Sequence, residues 1–329
     1  MRDILLKLLA PVAPSGQEGA AADAVCALIK GHIDSLDKDI MGNVIAVKRG
    51  KPEGKHIMLS SHMDHIGYIV TDIEKEGFLR VMTLGGIGLT DTARPIVFVN
   101  GVEGVLCAEP RKKGEALDNK HLFADIGAQS REEALQRVQI GDCAVVKSGV
   151  IALGEHRIAA PAMDDRCACA LQAAALLQME APLHTVTAVF SVQEEVGCRG
   201  AKTAAFDIAP DIGLALDVTA WGDTPEVKLP SVRLGAGAAI KFMDRGSIAN
   251  PYVRDALIAC AEKVNAPYQR EVLPYGGTDA LAMQMARGAI ATGTLSIPCR
   301  YVHSACEVID MRDMESALAI LLQFVNHPF

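Results

Sequence analysis

No apolar run in this 329-residue sequence approaches the roughly 18 residues of a membrane-spanning helix, so no membrane partner is expected. Lysine and arginine form no cluster, and the net charge of -8 argues against a nucleic-acid partner. Residues 1–7 contain neither the apolar core nor the cleavage site of a secretory signal. These absences together predict a cytoplasmic protein.

The cysteines lack the spacing of a structural metal site. There are nine, an odd number, and none falls in the paired pattern typical of zinc ligands. Cys167 and Cys169 lie one residue apart on a predicted helix and so diverge, which favours buried free thiols over ligands. Unpaired thiols of this kind fit a reducing compartment.

The hydrophobic residues, half of the chain, follow two different patterns. In residues 1–66 and 155–329, short β-branched runs alternate with helical stretches, which is typical of an α/β fold. Residues 67–154 contain short alternating runs separated by turns, which predicts a small β-rich domain. There is no internal repeat. We therefore predict one α/β domain with a mixed, doubly wound sheet and flanking helices, interrupted by a barrel-like insert.

One predicted strand ends on two adjacent carboxylates. The segment 185–192 is a short apolar run rich in β-branched residues, and Glu194, Glu195 and Gly197 come soon after it. Open α/β sheets place their active sites at the carboxyl ends of strands. A solvated strand end is the alternative, and this stretch alone does not decide between the two.

Other strand ends and helix starts also carry potential metal ligands. Together with Glu195, the candidates are His62, Asp164, Asp217 and His303. Each alone has an ordinary structural explanation, such as a helix cap for Asp164 or a turn for Asp217. A doubly wound sheet brings the carboxyl ends of its strands to one edge, so their joint occurrence predicts a shared site.

Two histidines and three carboxylates suit two divalent ions, with zinc expected first and cobalt or manganese as alternatives. One carboxylate has to bridge, since five side chains cannot otherwise give each ion three ligands. A water held between two ions needs a base that is not itself a ligand. Successive residues of an extended segment point opposite ways, so one of Glu194 and Glu195 can bind metal while the other faces the water.

Seven motifs resemble those of the cytoplasmic metallo-aminopeptidases that include the glutamyl and tetrahedral (TET) aminopeptidases. The motifs occur in the order expected for that family, and the match covers nearly the whole chain. They are 62–67 (HMDHIG), 125–128 (DIGA), 162–166 (AMDDR), 193–197 (QEEVG), 216–217 (LD), 276–279 (GGTD) and 300–304 (RYVHS). The resemblance implies a di-zinc exopeptidase-like fold. It also implies an enzyme that hydrolyses N-terminal residues from short peptides with a water bridging two metal ions.

The resemblance also implies roles for individual residues. His62 and Asp217 would complete one metal site, Glu195 and His303 the other, and Asp164 would bridge them. Glu194 would be the general base. Asp64 would orient His62 through its other ring nitrogen. In this family the insert helps to build dimers and a hollow tetrahedral dodecamer, so residues 67–154 are expected to carry oligomer contacts.

Two positions depart from the family pattern. His65 stands where family members often have glutamate, and would be either a residue behind the ligands or an additional ligand. The loop 234–239 (LGAGAA) lacks the proline expected after its second glycine. We expect this loop to help shape the substrate pocket.

Three other functions remain open at this stage. A related di-metal amide hydrolase, such as a deacylase or carboxypeptidase, would have a similar catalytic core. A glycosidase such as an endoglucanase would use Glu194 and Glu195 as its carboxylate pair, but adjacent, diverging side chains fit that poorly. A metal-binding protein without activity would leave Glu194 without a role.

Overall fold

The structure, a computed structural model, describes residues 1–227 and 231–329. The helices in these ranges are α1 (Arg2–Leu9), α2 (Gly19–Ile29), α3 (Arg131–Leu135), α4 (Met163–Gln178), α5 (Arg199–Ile208), α6 (Pro251–Lys263), α7 (Asp279–Gln284) and α8 (Met311–Phe324). None of them combines the length and apolar character needed to cross a bilayer.

The strands divide between a large sheet and a small barrel. Those of the large sheet are β1 (Ser35–Lys38), β2 (Val44–Lys48), β3 (His56–His62), β10 (Ile151–Leu153), β11 (Arg157–Ala160), β12 (Thr185–Ser191), β13 (Ile212–Thr219), β14 (Ala238–Met243), β15 (Tyr268–Val272), β16 (Ala291–Arg300) and β17 (Glu307–Asp310). Those of the barrel are β4 (Gly67–Ile73), β5 (Leu79–Leu84), β6 (Arg94–Phe98), β7 (Glu103–Ala108), β8 (Leu122–Asp125) and β9 (Cys143–Val146).

The large sheet is mixed, with a parallel centre. Its main path is β1-β2-β12-β3-β13-β16-β17-β11-β10, and β14 pairs with both β16 and β15. The neighbours β12, β3, β13 and β16 are parallel to one another, whereas the outer pairings are antiparallel apart from β14 with β15. Parallel strands are buried on both faces, which explains why β12 and β13 read as continuous apolar runs. The predicted mixed α/β fold is confirmed.

Helices cover both faces of this sheet. Ile57 and Leu59 of β3 belong to a core shared with α1, α2, α4, α6 and α8. Met58, which points to the opposite face, belongs to a core shared with α5 and α7. Every residue of α4 from Met163 to Leu176 is buried, and its many alanines let neighbouring elements approach it closely.

The β-rich segment forms a closed six-stranded barrel in the order β4-β5-β8-β7-β6-β9. All of its pairings are antiparallel, and Tyr68, Val70, Ile96 and Phe98 are among the side chains that fill it. Closure leaves no free strand edge. Its strands end at Val146, and β10 already pairs with β11 in the large sheet. Residues 151–153, at the end of the predicted insert, thus form a short, exposed strand of the large sheet.

Several elements differ from the sequence-based expectation. The apolar run over 289–296 predicts a strand, and the structure has that strand, β16, from Ala291 to Arg300, including Pro298, which pairs with Thr219. Asp217 was expected to follow its strand but lies inside β13. The strands β15 and β17 were not predicted, because runs of 5 and 4 residues carry little periodic signal.

Candidate metal centre

The predicted ligands and Glu194 all lie at the carboxyl-terminal edge of the large sheet. Each ends, follows or sits near the end of one of its strands: His62 on β3, Asp164 after β11, Glu194 and Glu195 after β12, Asp217 on β13, and His303 after β16. β11 runs in the direction of β16 because both are antiparallel to β17. This shared direction brings residues distant in sequence to one edge.

Asp164 lies between the two histidines. Its Oδ1 is 3.1 Å from His62 Nε2, and its Oδ2 is 3.3 Å from His303 Nε2. The side chain is almost completely buried, so neither oxygen is solvated freely. A carboxylate that faces a different histidine with each oxygen has the geometry expected of a bridging ligand.

The remaining candidate ligands complete two overlapping groups. His62, Asp164 and Asp217 form one group, and Asp164, Glu195 and His303 form the other, each with its potential ligand atoms within 4.8 Å of one another. Asp217 Oδ1 is 3.9 Å from His62 Nε2. Glu195 Oε2 is 3.2 Å from His303 Nε2. The structure thus brings together the two sets that the resemblance implies.

Main-chain carbonyls fix the orientation of both imidazoles. His62 Nδ1 donates to the Asp64 carbonyl oxygen at 2.9 Å, and His303 Nδ1 donates to the Gly86 carbonyl oxygen at 3.0 Å. A carbonyl oxygen only accepts, so Nδ1 carries the proton in each ring. Nε2 of each histidine therefore faces the carboxylates and needs a positive partner there, which is either a second proton or a metal ion.

The charge balance favours a metal ion over protons. Burial raises the pKa of the Glu194 and Asp217 carboxyls well above the usual range, and it also raises the pKa of Glu195. Against the effect of burial, hydrogen bonds to Asp164 and Glu195 raise the pKa of His303 to about 12. Four crowded carboxylates outnumber two imidazoles, and divalent cations would relieve their mutual repulsion.

Buried oxygens without hydrogen bonds support the same conclusion. Asp164 Oδ1 and Glu195 Oε1 are two of the buried side-chain atoms of the described residues that have no hydrogen-bond partner. Buried polar atoms are nearly always satisfied, so such oxygens call for a bound ion or water. Imidazole nitrogen and carboxylate oxygen together form a donor set that zinc, cobalt and manganese accept. The residues present therefore fit divalent ions.

Asp64 connects two of the ligand-bearing segments. Its carbonyl, rather than its side chain, is the nearer partner of His62 Nδ1, since the carboxylate Oδ1 lies 3.6 Å away. The carboxylate accepts from the Glu194 main-chain N–H at 2.9 Å and from the Ser15 hydroxyl at 2.6 Å. Asp64 thus orients His62 through its backbone and holds the Glu194 segment through its side chain.

Glu307 is a buried residue of the site that the sequence analysis missed. Its Oε1 accepts from the His303 main-chain N–H at 2.7 Å, and its Oε2 accepts from the Asp164 N–H at 3.0 Å. His303 has a φ of 64°, a left-handed conformation that non-glycine residues seldom adopt. Burial raises the pKa of Glu307 to about 8, although both N–H groups oppose the shift. The only signal in the sequence is one carboxylate at the start of a short apolar run.

The barrel also contributes to the site. The turn after β5 brings Gly85 against Glu195 and Gly86 against His303, and the Gly86 carbonyl accepts the His303 Nδ1 proton. A Cβ atom on Gly86 would lie 2.9 Å from His303 Nδ1, closer than real Cβ contacts allow. Glycine is therefore needed at this approach. The insert and the α/β domain share the candidate centre.

His65 does not join the candidate ligands. Its Nδ1 donates to the Ile66 carbonyl oxygen at 3.0 Å, and its Nε2 accepts from the Ala13 N–H at 3.4 Å. Burial lowers its pKa to about 3, so the ring is neutral. It belongs to neither group of potential ligand atoms around Asp164, which favours the first of the two alternatives, a residue behind the ligands.

The expected free thiols are present, and two of the cysteines, Cys169 and Cys198, contact residues of the site. Cys167 and Cys169 are buried and unpaired, and Cys169 Sγ donates to the His62 carbonyl oxygen at 3.0 Å. Cys198 Sγ lies 3.2 Å from Glu194 Oε1 and donates to it. Asp279, near Cys198 and Glu194, accepts from the hydroxyls of Ser60 and Ser191. These contacts support the loops behind the candidate ligands.

A cleft of about 600 Å³ opens beside the candidate ligands. Its described lining includes Glu194, Glu195, Val218, Trp221 and Tyr275. The loop 234–239, expected to shape this pocket, is absent from that lining. Asp313 holds the loop instead by accepting from the Gly235 and Gly237 N–H groups, each at 2.7 Å. The loop therefore does not line the cleft, although Leu234 belongs to the hydrophobic cluster against which the cleft residue Trp221 packs.

Comparison with known proteins agrees with this geometry. Residues 42–320 match the family model described as M42 glutamyl aminopeptidase. The chain belongs to the M42 glutamyl aminopeptidase family. Members of this family are metallopeptidases, so the chain is a peptide-bond hydrolase and the family implies divalent metal ions at the carboxylate and histidine cluster.

Individual relatives match along almost the whole M42 chain. The lysyl aminopeptidase of Pyrococcus furiosus is 38% identical, with 97% of this chain and 94% of the relative covered. The structure of an aminopeptidase from Desulfurococcus kamchatkensis is 38% identical, with a TM-score of 0.93 over 98% of this chain and 94% of that one. The TET1 peptidase of Pyrococcus horikoshii, which can assemble into a tetrahedron or a large octahedral shell, is 30% identical, with a TM-score of 0.88 over 100% of this chain and 99% of that one.

Glu307→Gln tests whether the carboxylate that links Asp164 and His303 supports the centre. The amide keeps the size of the side chain, but its NH₂ group cannot accept from a main-chain N–H. We expect one of the two linked segments to shift and divalent-ion affinity to fall about 10–100-fold. Competition with a metal indicator dye measures that affinity.

Asp313→Asn is the matched control, because Asp313 also accepts from two main-chain N–H groups but lies outside the cluster. It should lower thermal stability and leave metal affinity unchanged. Equal losses of affinity in both variants, or none in Glu307→Gln, would show that Glu307 has no specific role at the centre.

Proposed function

We propose that the chain is an aminopeptidase that removes N-terminal residues from short peptides and holds two divalent ions. His62 and Asp217 complete one site, Glu195 and His303 complete the other, and Asp164 bridges them. The observation that carries the proposal is the position of Asp164, whose two oxygens face different histidines at 3.1 and 3.3 Å. Zinc is the expected ion, with cobalt or manganese as alternatives.

The bound ions would polarise the scissile carbonyl and lower the pKa of the attacking water. Glu194 takes a proton from that water and delivers it to the leaving amine as the peptide bond breaks. Its position supports this role, because it lines the cleft but belongs to neither ligand group around Asp164. The thiol of Cys198 donates to Oε1 and so limits rotation of the carboxylate.

Glu194 and Glu195 differ in their partners although they are adjacent in sequence. Glu195 Oε2 is 3.2 Å from His303 and belongs to one of the ligand groups around Asp164. Glu194 belongs to neither ligand group around Asp164, and burial raises its pKa, as suits a proton acceptor near neutral pH. This difference supports ligand and base as separate roles.

The alternatives fit less well. A carboxypeptidase needs a free cation for the substrate carboxylate, but Lys241, the one lysine or arginine among the described cleft residues, is paired with Glu271. A glycosidase needs two carboxylates facing one bond, whereas Glu195 contacts His303. Rates on free-amine and N-acylated peptides would separate an aminopeptidase from a deacylase.

The proposal extends to assembly and location. Residues 67–154 would carry contacts that join subunits into dimers and a tetrahedral dodecamer, which would admit short peptides and exclude folded proteins. The barrel supports this, because Met82, Val99 and Val105 are exposed apolar side chains on or beside its strands. All nine cysteines are free thiols, which fits the reducing cytoplasm.

Asp164→Asn should weaken both metal sites, because it removes the negative charge shared between them. His303→Ala should mainly weaken the site that contains Glu195. Metal analysis after exhaustive dialysis gives the number of ions per chain in each variant. Two tightly held ions in Asp164→Asn would rule out the bridge.

Glu194→Gln should retain both ions and an unchanged KM, while kcat falls about 10²–10⁴-fold through loss of the general base. Glu195→Gln is the matched comparison and should lose metal from one site, with partial recovery of activity in excess metal. Steady-state kinetics and metal analysis on the same samples measure both effects. Full activity of Glu194→Gln beside an inactive, metal-replete Glu195→Gln would reverse the assignment.

The assembly is tested on the unmodified protein by light scattering coupled to size exclusion. We expect a homo-oligomer at working concentration, with the mass of a dimer or of a larger shell built from dimers. A fully active monomer would refute a role of the insert in assembly.

A further inference from the structure

Besides the candidate ligands, the described cleft lining includes several apolar and aromatic residues. They are Val218, Trp221, Leu273, Tyr275 and Val302, here called the apolar wall. An apolar wall favours apolar side chains, because removing them from water is favourable and no polar group is left unpaired. The N-terminal side chain of a peptide bound at the candidate ligands would meet this wall.

Trp221 is held in place from two sides. Its Nε1–H donates to the Thr224 hydroxyl at 2.7 Å, and its ring packs edge-on against Tyr301 with the ring centroids 5.5 Å apart. The indole therefore needs no polar contact from the substrate. A fixed, large aromatic surface suits a bulky side chain better than a small one.

Outside the candidate ligands and Glu194, Lys241 is the one charged side chain among the described residues of the cleft. It is 3% exposed, and its Nζ lies 3.7 Å from Glu271 Oε2. Glu271 is also buried, and its other oxygen accepts from the Thr219 hydroxyl. The Lys241–Glu271 pair thus places no net charge behind the wall.

A neutral pair discriminates against charged side chains of either sign. An acidic side chain would have to draw Lys241 away from Glu271 and leave a buried carboxylate unpaired, which is strongly unfavourable. A basic side chain would meet the Lys241 ammonium first, since Glu271 is not part of the cleft lining. The family description names glutamyl and one relative's name is lysyl, so neither name fixes the charge preference here.

We propose that the cleft selects peptides with a bulky, uncharged N-terminal residue, such as leucine, methionine or phenylalanine, because Trp221 provides the contact surface and the Lys241–Glu271 pair excludes charge. This selectivity rests on the proposed aminopeptidase activity. It assigns Trp221, Lys241 and Glu271 as specificity-determining residues rather than catalytic ones.

A panel of aminoacyl anilides with the metal-loaded enzyme tests the selectivity directly. We expect kcat/KM for the leucine, methionine or phenylalanine anilide to exceed that for the glutamate and lysine anilides by about tenfold or more. A tenfold preference for glutamate or lysine would overturn the selectivity and leave the aminopeptidase activity standing. Hydrolysis of N-acylated substrates alone would instead overturn the proposed function, and the selectivity with it.

Variants separate the two parts of the proposal. Trp221→Ala should reduce kcat/KM for the phenylalanine anilide about tenfold and change that for the alanine anilide little, whereas Trp221→Phe should restore most of the loss. Equal losses on both anilides would show that Trp221 supports the fold instead of the substrate.

Glu271→Gln should leave Lys241 unpaired and raise kcat/KM for the glutamate anilide relative to the leucine anilide. Addition of Lys241→Met should abolish that gain, which isolates the ammonium as its cause. Melting temperatures of both variants show whether they remain folded. A folded Glu271→Gln with unchanged relative rates would refute the charge argument, and the unmodified enzyme's anilide panel decides it where the variant does not fold.

Discussion

Four carboxylates and two imidazoles lie together at one edge of a buried sheet, and their electrostatic balance is the constraint on which the rest of the site depends. Like charges this close cannot all be ionised without a positive partner between them. The pKa of Glu194 and that of Asp217 rise with burial, and Asp164 presents one oxygen to each histidine. Divalent ions satisfy this arrangement, and the M42 family is one of metallopeptidases.

The candidate ligands are held by a second set of groups that join segments distant in sequence. Asp64 ties the His62 segment to the Glu194 N–H, and Glu307 ties Asp164 to His303. Gly86 brings the barrel against His303. These contacts support one small site from both domains. Displacement of the insert would therefore remove the hydrogen bond that orients the His303 ring.

Much of the fold and of the site could be predicted from the sequence, because both depend on where strands end. Buried parallel strands are readable as apolar runs, and polar residues directly after them, such as Glu194 and Glu195, point to the functional edge. The supporting contacts could not be predicted in the same way. Glu307 binds main-chain N–H groups, and Gly86 accepts through its own carbonyl. The fold alone brings these partners together, and the spacing of residues along the chain does not predict such contacts.

The residues that set selectivity were equally hidden. Lys241 and Glu271 lie on neighbouring strands, β14 and β15, and β15 was not predicted. The loop 234–239 was given the role of shaping the pocket because its sequence departs from the family pattern. The loop does not line the cleft but binds a carboxylate of α8, and its Leu234 packs in the cluster that contacts Trp221.

Anomalous diffraction from crystals grown with zinc tests the central claim most directly. The account predicts two peaks per chain about 3.5–4 Å apart, one among His62, Asp164 and Asp217 and the other among Asp164, Glu195 and His303. A single peak, or a peak held by Glu194, Cys198 and Asp279 instead, would contradict the bridging role of Asp164 and the assignment of Glu194 as the base.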